Sequence, residues 1–343
     1  MPAFVTGATG HTGANLVREL LARGEAVRVL VEPGGSLEAL EGLEVERVAG
    51  DLRDSSALAD GLAGCDQLYH LAALISLRNG DRQKLFEVNV LGSRKVFAAA
   101  RRAGVRRAVY CSSFGAVGVD PSGTSDEESL LNPFTCPLEY ELCKSLGELE
   151  ALRAAAAGLE VVIVNPSASI GPYDFQPSSF GRTLVELVNG RLRAYVPGRF
   201  DFVPMADVVA GHLLAMARGR PGERYLLTGR STTLDEMIDW VVAHTGARRP
   251  PFRLPYRLVA PALAIKDRVE ATLLPWRTPV FTAQTARVLA IGKRGNNAKA
   301  QRELGWRPTR LDDALLAALR WYRGRGWIDV EPRPGARRLA AEI

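Results

Sequence analysis

The sequence predicts an α/β protein: a doubly wound parallel sheet with helices on both faces, joined to a smaller, mostly helical lobe. Three observations predict it. From residue 3 to 165, short apolar runs alternate with stretches of helical periodicity. The first run, Ala3 to Thr6, leads at once into Gly7-Ala-Thr-Gly10-His-Thr-Gly13, and a helical pattern follows from Ala14 to Ala22. Strand, glycine turn and helix in that order are the setting in which glycines let a backbone approach a pyrophosphate, which rests on the helix N-terminus. Finally, 343 residues at 47% hydrophobic suffice for one large domain or two closely joined lobes.

The elements follow in order. Val27 to Val31 is the second strand, with Glu32 directly after it. An acid at that strand end can accept hydrogen bonds from adenosine ribose hydroxyls. Glu44 to Ala49 is the third strand, and Asp54 is placed to cap a helix starting at Ser55. Gln67 to Leu71 is the fourth, ending in His70-Leu-Ala-Ala73, whose small residues leave room for a ligand close over the sheet. His70 reads as a packed strand histidine. Arg82 to Ala103 is a long helix containing Asn89, and Arg107 to Cys111 is the fifth strand, ending at Ser112-Ser113. Asp120 to Pro137 reads as a loop, with Asp126-Glu127-Glu128 as a solvated face rather than a metal site. Leu138 to Ala157 is a helix, and Glu160 to Val164 the sixth strand. Asp201 to Val203 and Tyr225 to Thr228 are expected to return to the sheet around a helix from Asp207 to Arg218, with mostly helix beyond Thr233. The expected division is 1–165 plus 201–230 for the sheet domain, 166–200 plus 231–330 for the smaller lobe, and 331–343 as a tail.

On the helix from Leu138, Tyr140 and Lys144 sit four apart and share a face. An ammonium beside a phenol favours the phenolate and lowers the tyrosine pKa towards neutrality. Such a tyrosine can give a proton to a carbonyl oxygen or take one from a hydroxyl. Tyr-x-x-x-Lys also occurs by chance on surface helices, so the pair gains meaning only beside the glycine turn.

Several stretches in order, Thr6 to Gly13, Gly50-Asp51-Leu52, His70 to Ala73, Asn89-Val-Leu-Gly92, Ser112-Ser113 and Tyr140-x-x-x-Lys144, resemble the extended short-chain dehydrogenases/reductases, the NAD-dependent epimerase/dehydratase superfamily. The resemblance runs to about Trp327. Asn165-Pro-Ser-Ala-Ser-Ile-Gly-Pro172 looks like a segment of its dihydroflavonol-4-reductase-like members, and the hopanoid-associated sugar epimerase group is similar along most of the chain. The resemblance implies a Rossmann fold and an NAD(P)-dependent oxidoreductase acting on CH–OH or C=O groups. It implies that Ser113, Tyr140, Lys144 and Asn89 carry the chemistry, with Ser112 the alternative serine and Asn89 steadying a proton relay through water. It implies a cofactor lying along Gly7, Thr9, Gly10, His11, Thr12, Gly13, Glu32, Asp51, Leu52, Leu71, Ala72, Ala73, Tyr140, Lys144, Pro166 and Ser169. Relatives that bind NADP carry Arg where Glu32 stands; Glu repels a 2′-phosphate, so NAD(H) is favoured and NADP(H) is the alternative. A homodimer through the helices Arg82–Ala103 and Leu138–Ala157 is expected on the same ground.

Composition narrows the partners. Net charge is +6, but no basic stretch is interleaved with aromatics for stacking on bases, so nucleic acid is not expected. Cys65, Cys111, Cys136 and Cys143 show no zinc spacing and suggest a reduced, cytoplasmic protein with no metal. The first strand starts at residue 3, which leaves no room for a signal peptide. Leu258 to Ile265 is too short to span a bilayer, so no stable membrane insertion is expected. Leu258 to Leu274 reads as an amphipathic helix of the smaller lobe, with a membrane face or an access path as alternatives. Tyr173, Phe175, Phe180 and Tyr195, with Leu74, Ile75, Phe114, Val117 and Val119, suggest an apolar wall for a small hydrophobic substrate. The expected reaction is hydride transfer to the carbonyl of a secondary-metabolite or sterol-like ketone, or the reverse alcohol oxidation. The alternative is a nucleotide-sugar epimerase or dehydratase with bound NAD, for which Arg182, Arg193 and Arg199 are the candidate phosphate-binding cations. A non-catalytic dinucleotide sensor is a third reading.

Overall fold

The computed structural model describes residues 1–76, 80–136, 138–273 and 282–331. The expected tail from 332 onward and Leu274 lie outside the described residues. Strands β1 (Ala3–Thr6), β2 (Val27–Val31), β3 (Glu46–Ala49), β4 (Gln67–His70), β5 (Arg107–Cys111), β7 (Glu160–Pro166) and β11 (Arg224–Leu227) form one sheet, ordered β11-β7-β5-β4-β1-β2-β3. Every pairing in it is parallel. Each residue of β1 and β5 is buried, as a sheet covered on both faces requires.

Helices α1 (His11–Ala22) and α7 (Met205–Arg218) cover one face. Leu16, Val17 and Leu20 pack there with Val208, Val209 and Trp306. Helices α2 (Ser55–Leu62), α4 (Ser93–Arg102) and α5 (Glu139–Ala156) cover the other, where Leu58, Phe97 and Ala151 join Phe4 and Tyr110. The Asp54 carboxylate accepts from the Ser56 and Ala57 amides, so the expected cap is present.

Four expectations need correction. The helix expected over Arg82 to Ala103 is three segments: α3 (Arg82–Phe86), a π-helical turn (Glu87–Gly92) and α4. A π turn re-aims side chains within a helix and often marks functional sites; Asn89 is buried in this one. The loop over Asp120 to Pro137 contains a short strand, β6 (Thr124–Ser125), paired with β14 (Arg294–Gly295). Its acidic run is not a solvated face throughout: Glu127 is buried and accepts a 2.9 Å bond from the Leu226 amide.

Finally, the strand over Asp201–Val203 does not return to the main sheet. It is β10 (Arg199–Pro204), the middle of a three-stranded sheet between β8 (Ala168–Ile170) and β12 (Arg230–Thr233). The reason is chain direction. β8 folds back immediately after β7, and its edge is filled by β10 through the Val203–Ser169 register. Around this small sheet pack α6 (Ser179–Val188), α8 (Leu234–Thr245) and α11 (Leu311–Gly324), with Leu184, Trp240, Leu315 and Leu319 in the core. Strands β9 (Ala194–Tyr195) and β13 (Phe252–Arg253) pair beside it, and α9 (Tyr256–Leu273) and α10 (Ala283–Ile291) follow.

Candidate active site

β1 delivers the glycine loop to the carboxyl edge of the sheet. Gly7 has φ +74°, and a Cβ there would stand 2.6 Å from the Ala72 nitrogen. A Cβ on Gly13 would stand 2.0 Å from the Gly7 carbonyl oxygen. The turn's own packing requires both glycines. Gly10 is different: its φ is −78°, and an added Cβ would meet nothing closer than 3.4 Å. The fold does not need that glycine. Its bare backbone keeps open the space over the N-terminus of α1, where no side chain caps the helix and no acid lies in the first turn. Uncapped N–H groups at the positive end of a helix suit a diphosphate, so these residues fit a dinucleotide.

Of the other predicted cofactor residues, Leu71 and Ala72 touch that loop. The Ala72 amide donates to Thr6 Oγ1 at 3.3 Å and the Leu71 amide to the Thr6 carbonyl at 3.2 Å, which holds Leu71 to Ala73 against the loop. Thr9 and Thr12 are half-buried on it. The His11 imidazole is turned across to the following segment, with Nε2 3.0 Å from the Pro172 carbonyl and Nδ1 3.8 Å from Asp174. Burial holds its pKa below the usual histidine value. Only its backbone belongs to the uncapped turn. Glu32 is exposed at the end of β2. Asp51 accepts two hydrogen bonds from the Arg53 guanidinium, at 2.8 and 3.0 Å, and this pairing depresses its pKa. Leu52 is buried against Gly92. Pro166 ends β7, and Ser169 lies in β8.

The Tyr140 side chain is half-buried, with its phenol end the deep part. Burial pushes its pKa up to about 12, while Lys144 and a hydrogen bond with the Ser113 side chain pull it down. This corrects the expectation of a phenol tuned towards neutrality. In the protein alone, desolvation of the phenolate outweighs the nearby ammonium. Lys144 is buried; its Nζ donates to the Cys111 carbonyl at 2.6 Å and stands 4.5 Å from the Tyr110 ring centroid.

The two serines differ in their surroundings. Ser112 is buried and donates to Glu148 at 2.5 Å, in a network that also takes Asn165 at 2.5 Å and Arg224 at 3.2 Å. Ser113 accepts from the Gly115 amide at 3.1 Å, and it is the serine whose hydroxyl helps to lower the Tyr140 pKa. Asn89 uses its side-chain amide as a clamp. Oδ1 accepts from the Leu74 amide at 2.8 Å, and Nδ2 donates to the Leu74 carbonyl at 2.9 Å. Leu74 in turn packs in a small cluster with Tyr140, so the clamp sets the wall beside the phenol. Cys143 fills space there with Leu85 and Val90, as expected. His70 is a packed strand histidine: Thr6 Oγ1 and Ser93 Oγ lie 2.7 and 3.0 Å from its two nitrogens, and burial pushes its pKa down to about 3.

Two residues, Glu141 and Lys293, escaped the sequence reading, and a third, Tyr173, was read only as part of an apolar wall. Glu141 follows Tyr140, sits tightly on Gly115 and has its pKa pushed up to about 7 by burial. Lys293 donates to the Phe114 and Val117 carbonyls, each at 2.7 Å, and burial presses its pKa down to about 8 against the opposing pull of Glu141. Tyr173 has φ +61°, a left-handed conformation uncommon for a side-chain-bearing residue. The Glu141 signal was adjacency to Tyr140; nothing local marks Lys293, which arrives from the far end of the chain.

The expected aromatic wall is not one cluster. Tyr173 and Phe175 pack on Trp321, Phe180 packs on Phe202, and Tyr195 donates to Asp235 at 2.6 Å. Residues distant in sequence, Trp321 and Phe202, compete for these rings. Leu74 packs against the same Leu85–Val90–Cys143 cluster as Tyr140, Phe114 and Val117 are buried in a separate cluster with Leu226, and Ile75 and Val119 are exposed. Among the described residues no group of three or more His, Cys, Asp or Glu side chains could hold a metal ion, and no helix is long and apolar enough to cross a membrane.

Comparison with known proteins gives a consistent picture. The NAD dependent epimerase/dehydratase family matches residues 3–227. Sterol demethylase protein B of Methylococcus capsulatus is 50% identical over 328 residues, covering 96% of this chain and all of that protein. A Stigmatella aurantiaca ketoreductase named for a farnesylated dihydroquinoline oxide is 31% identical, over 93% of this chain and 96% of its own. The 3beta-hydroxysteroid-dehydrogenase/decarboxylase isoform 1 of Arabidopsis thaliana is 28% identical, over 89% and 75%. The crystal structure of gox2253 superposes with a TM-score of 0.84 at 32% identity, over 96% of this chain and 99% of that one. With its glycine cradle and its Tyr140–Lys144 pair, this chain belongs to the NAD dependent epimerase/dehydratase family, the extended short-chain dehydrogenases/reductases, and is an NAD-linked enzyme.

Proposed function

We propose that the protein interconverts a secondary alcohol and a ketone on an apolar, sterol-like substrate, with NAD(H) as hydride carrier. The observation that carries the reaction is buried Lys144 one helical turn from Tyr140 on α5, with Lys144 and the Ser113 hydroxyl both acting on the same phenol, in a chain that also carries the uncapped start of α1. The substrate class draws on the names of the Methylococcus and Arabidopsis relatives and on the small apolar cluster that Leu74 and Tyr140 both pack against.

When bound, the nicotinamide supplies or accepts the hydride. The chain manages the oxygen and its proton. Tyr140 donates its phenolic proton to the carbonyl oxygen as that oxygen gains charge, and Ser113 holds the same oxygen with a second hydrogen bond. Lys144 holds the phenol below the value that burial alone would impose, which makes release and recapture of the proton easier. In the oxidative direction the same three groups run in reverse. Asn89 fixes Leu74 beside them. Gly7, Thr9, Gly10, His11, Thr12 and Gly13 would hold the diphosphate through backbone groups, while Glu32, Asp51 and Leu52 would border the adenosine. Leu71, Ala72, Ala73, Pro166 and Ser169 would line the remainder. A homodimer through α3–α4 and α5 belongs to the same reading, because Phe86, Leu149 and Leu152 stand exposed there.

The test is a cofactor titration on the purified protein, after checking its absorbance for retained nucleotide. The reading expects a protein that purifies empty, binds NADH reversibly and turns over apolar polycyclic ketones or alcohols. Tightly retained NAD+ with turnover of nucleotide sugars would replace it with the epimerase reading, in which Arg182 on α6, Arg193 and Arg199 on β10 would be the cations to examine.

A further inference from the structure

We infer that the outer face of α9 is a docking surface for an anionic lipid bilayer. Leu258, Ala262, Ile265, Val269 and Leu273 follow each other at intervals of four, three, four and four residues, so they form one stripe along the helix. The stripe faces water: Leu258 is 76% exposed, Ile265 66%, Val269 47% and Leu273 66%. The opposite side satisfies the fold. Asp267 is buried there and accepts a 2.8 Å bond from the Ala283 amide at the start of α10, and Tyr256, Val259, Ala260 and Leu263 are half-buried. Nothing in the fold of the described residues needs the apolar stripe, which sets α9 apart from the well-packed α8 and α11.

Charge selects the occupant. At about 100° per residue, Arg257 and Arg268 flank one side of the stripe and Lys266, paired with Glu270 at 2.9 Å, flanks the other. Arg248 adds a further cation before the helix, while Arg249 and Arg253 are taken up by Asp235 and Asp239 of α8, so Arg248, Arg257, Lys266 and Arg268 face Asp267 and Glu270. An apolar stripe bordered by basic side chains lies flat in a headgroup layer, with long cationic side chains reaching up to anionic headgroups. Phe252 and Leu254, 60% and 38% exposed on the run into α9, add apolar area at the same end. A second copy of this chain would bring a like-charged rim against itself, which disfavours a dimer through this face. The surface stands on its own geometry; its purpose, drawing a greasy substrate from a bilayer, rests on the substrate reading above.

The test is co-sedimentation of the full-length protein with vesicles of phosphatidylcholine, with and without phosphatidylglycerol. The expected result is partition onto the anionic vesicles that weakens with salt and falls at least tenfold in the variant Ile265→Glu/Val269→Glu. Both sites are exposed, so this variant should keep the wild-type unfolding temperature and NADH affinity; Arg257→Gln/Arg268→Gln is a second variant that leaves the stripe intact and should lose only the preference for anionic vesicles. Three results would overturn the inference: wild-type protein left in the supernatant, Ile265→Glu/Val269→Glu sedimenting like wild type, or sedimentation equilibrium showing that this variant splits a dimer. Because vesicle binding is read without turnover, a protein that binds vesicles yet converts no sterol would sink the substrate reading and leave the surface standing.

Discussion

At the scale of residues, the division of labour between Ser112 and Ser113 decides how the site is read. Adjacent residues at a strand end point to opposite sides. Here one hydroxyl meets buried Glu148, and the other acts on the Tyr140 phenol, whose pKa it lowers. Ser113→Ala should therefore lower turnover with little change in unfolding temperature, and Tyr140→Phe should lower it by roughly 10²- to 10⁴-fold, the usual contribution of a positioned acid–base group. Ser112→Ala should do the reverse, destabilising the fold by about 1–3 kcal/mol by stranding a buried partner while the remaining activity per folded molecule holds. Paired kinetics and thermal unfolding read both; a Ser112→Ala enzyme that stays stable but inactive would reverse the assignment.

Glu141 is a second residue-scale case, and here the sign of the pH dependence can be worked out. Its folded pKa, about 7, lies above that of an exposed glutamic acid, so the native state favours the protonated form. The stability this contributes is full below the unfolded value, near 4.3, and is lost as pH rises through about 7. Glu141→Gln keeps the neutral shape and removes that loss. The difference in unfolding free energy between variant and wild type should shift in favour of the variant between pH 5 and pH 8, where the carboxyl ionises; a difference independent of pH would show that Glu141 is not raised.

At the scale of elements, the glycine loop was legible because its chemistry is local. Strand, turn and helix are contiguous, and the spacing of Gly7, Gly10 and Gly13 announces the turn. The structure adds which glycine serves what. Gly7 and Gly13 are crowded by Ala72 and by the loop's own carbonyl, whereas Gly10 is not. Gly10→Ala should fold normally and lose most of its NADH affinity, while Gly7→Ala should lose stability first; calorimetry of unfolding and of NADH binding separates the two. If Gly10→Ala bound NADH as well as wild type, the cradle would lie elsewhere. The π turn around Asn89 was not legible, because the periodicity of an α-helix persists on both sides of one inserted residue. Nor was the small sheet around β10: a run as short as Asp201–Val203 looks the same whichever sheet accepts it, and only the passage of the chain from the main sheet at Pro166 to β8 decides.

At the scale of the whole molecule, segments distant in the chain are joined by contacts between side chains and carbonyls. Arg18 lies 4.4 Å from the Tyr173 ring centroid, Arg325 pairs with Glu38, and Lys293 bridges to the carbonyls beside Ser113. Such contacts span up to most of the chain's length, so the sequence could propose a substrate lobe but not its walls. The aromatic residues expected to form one wall went instead to three packing sites. What packs with Tyr140 is a small apolar cluster with Leu74, Leu85, Val90 and Cys143, and it is this that the sterol-like reading uses.

The central claim, that this chain moves a hydride between NAD(H) and a secondary alcohol or ketone on an apolar substrate, is tested most directly by following reduced nicotinamide in a mixture of purified protein, NAD+ and a 3β-hydroxysteroid. NADH should form one for one with ketone, and form roughly 10²- to 10⁴-fold more slowly with Tyr140→Phe. The claim would be contradicted by a protein that leaves every steroid untouched, keeps NAD+ bound through purification and epimerises a nucleotide sugar with no net change in the cofactor.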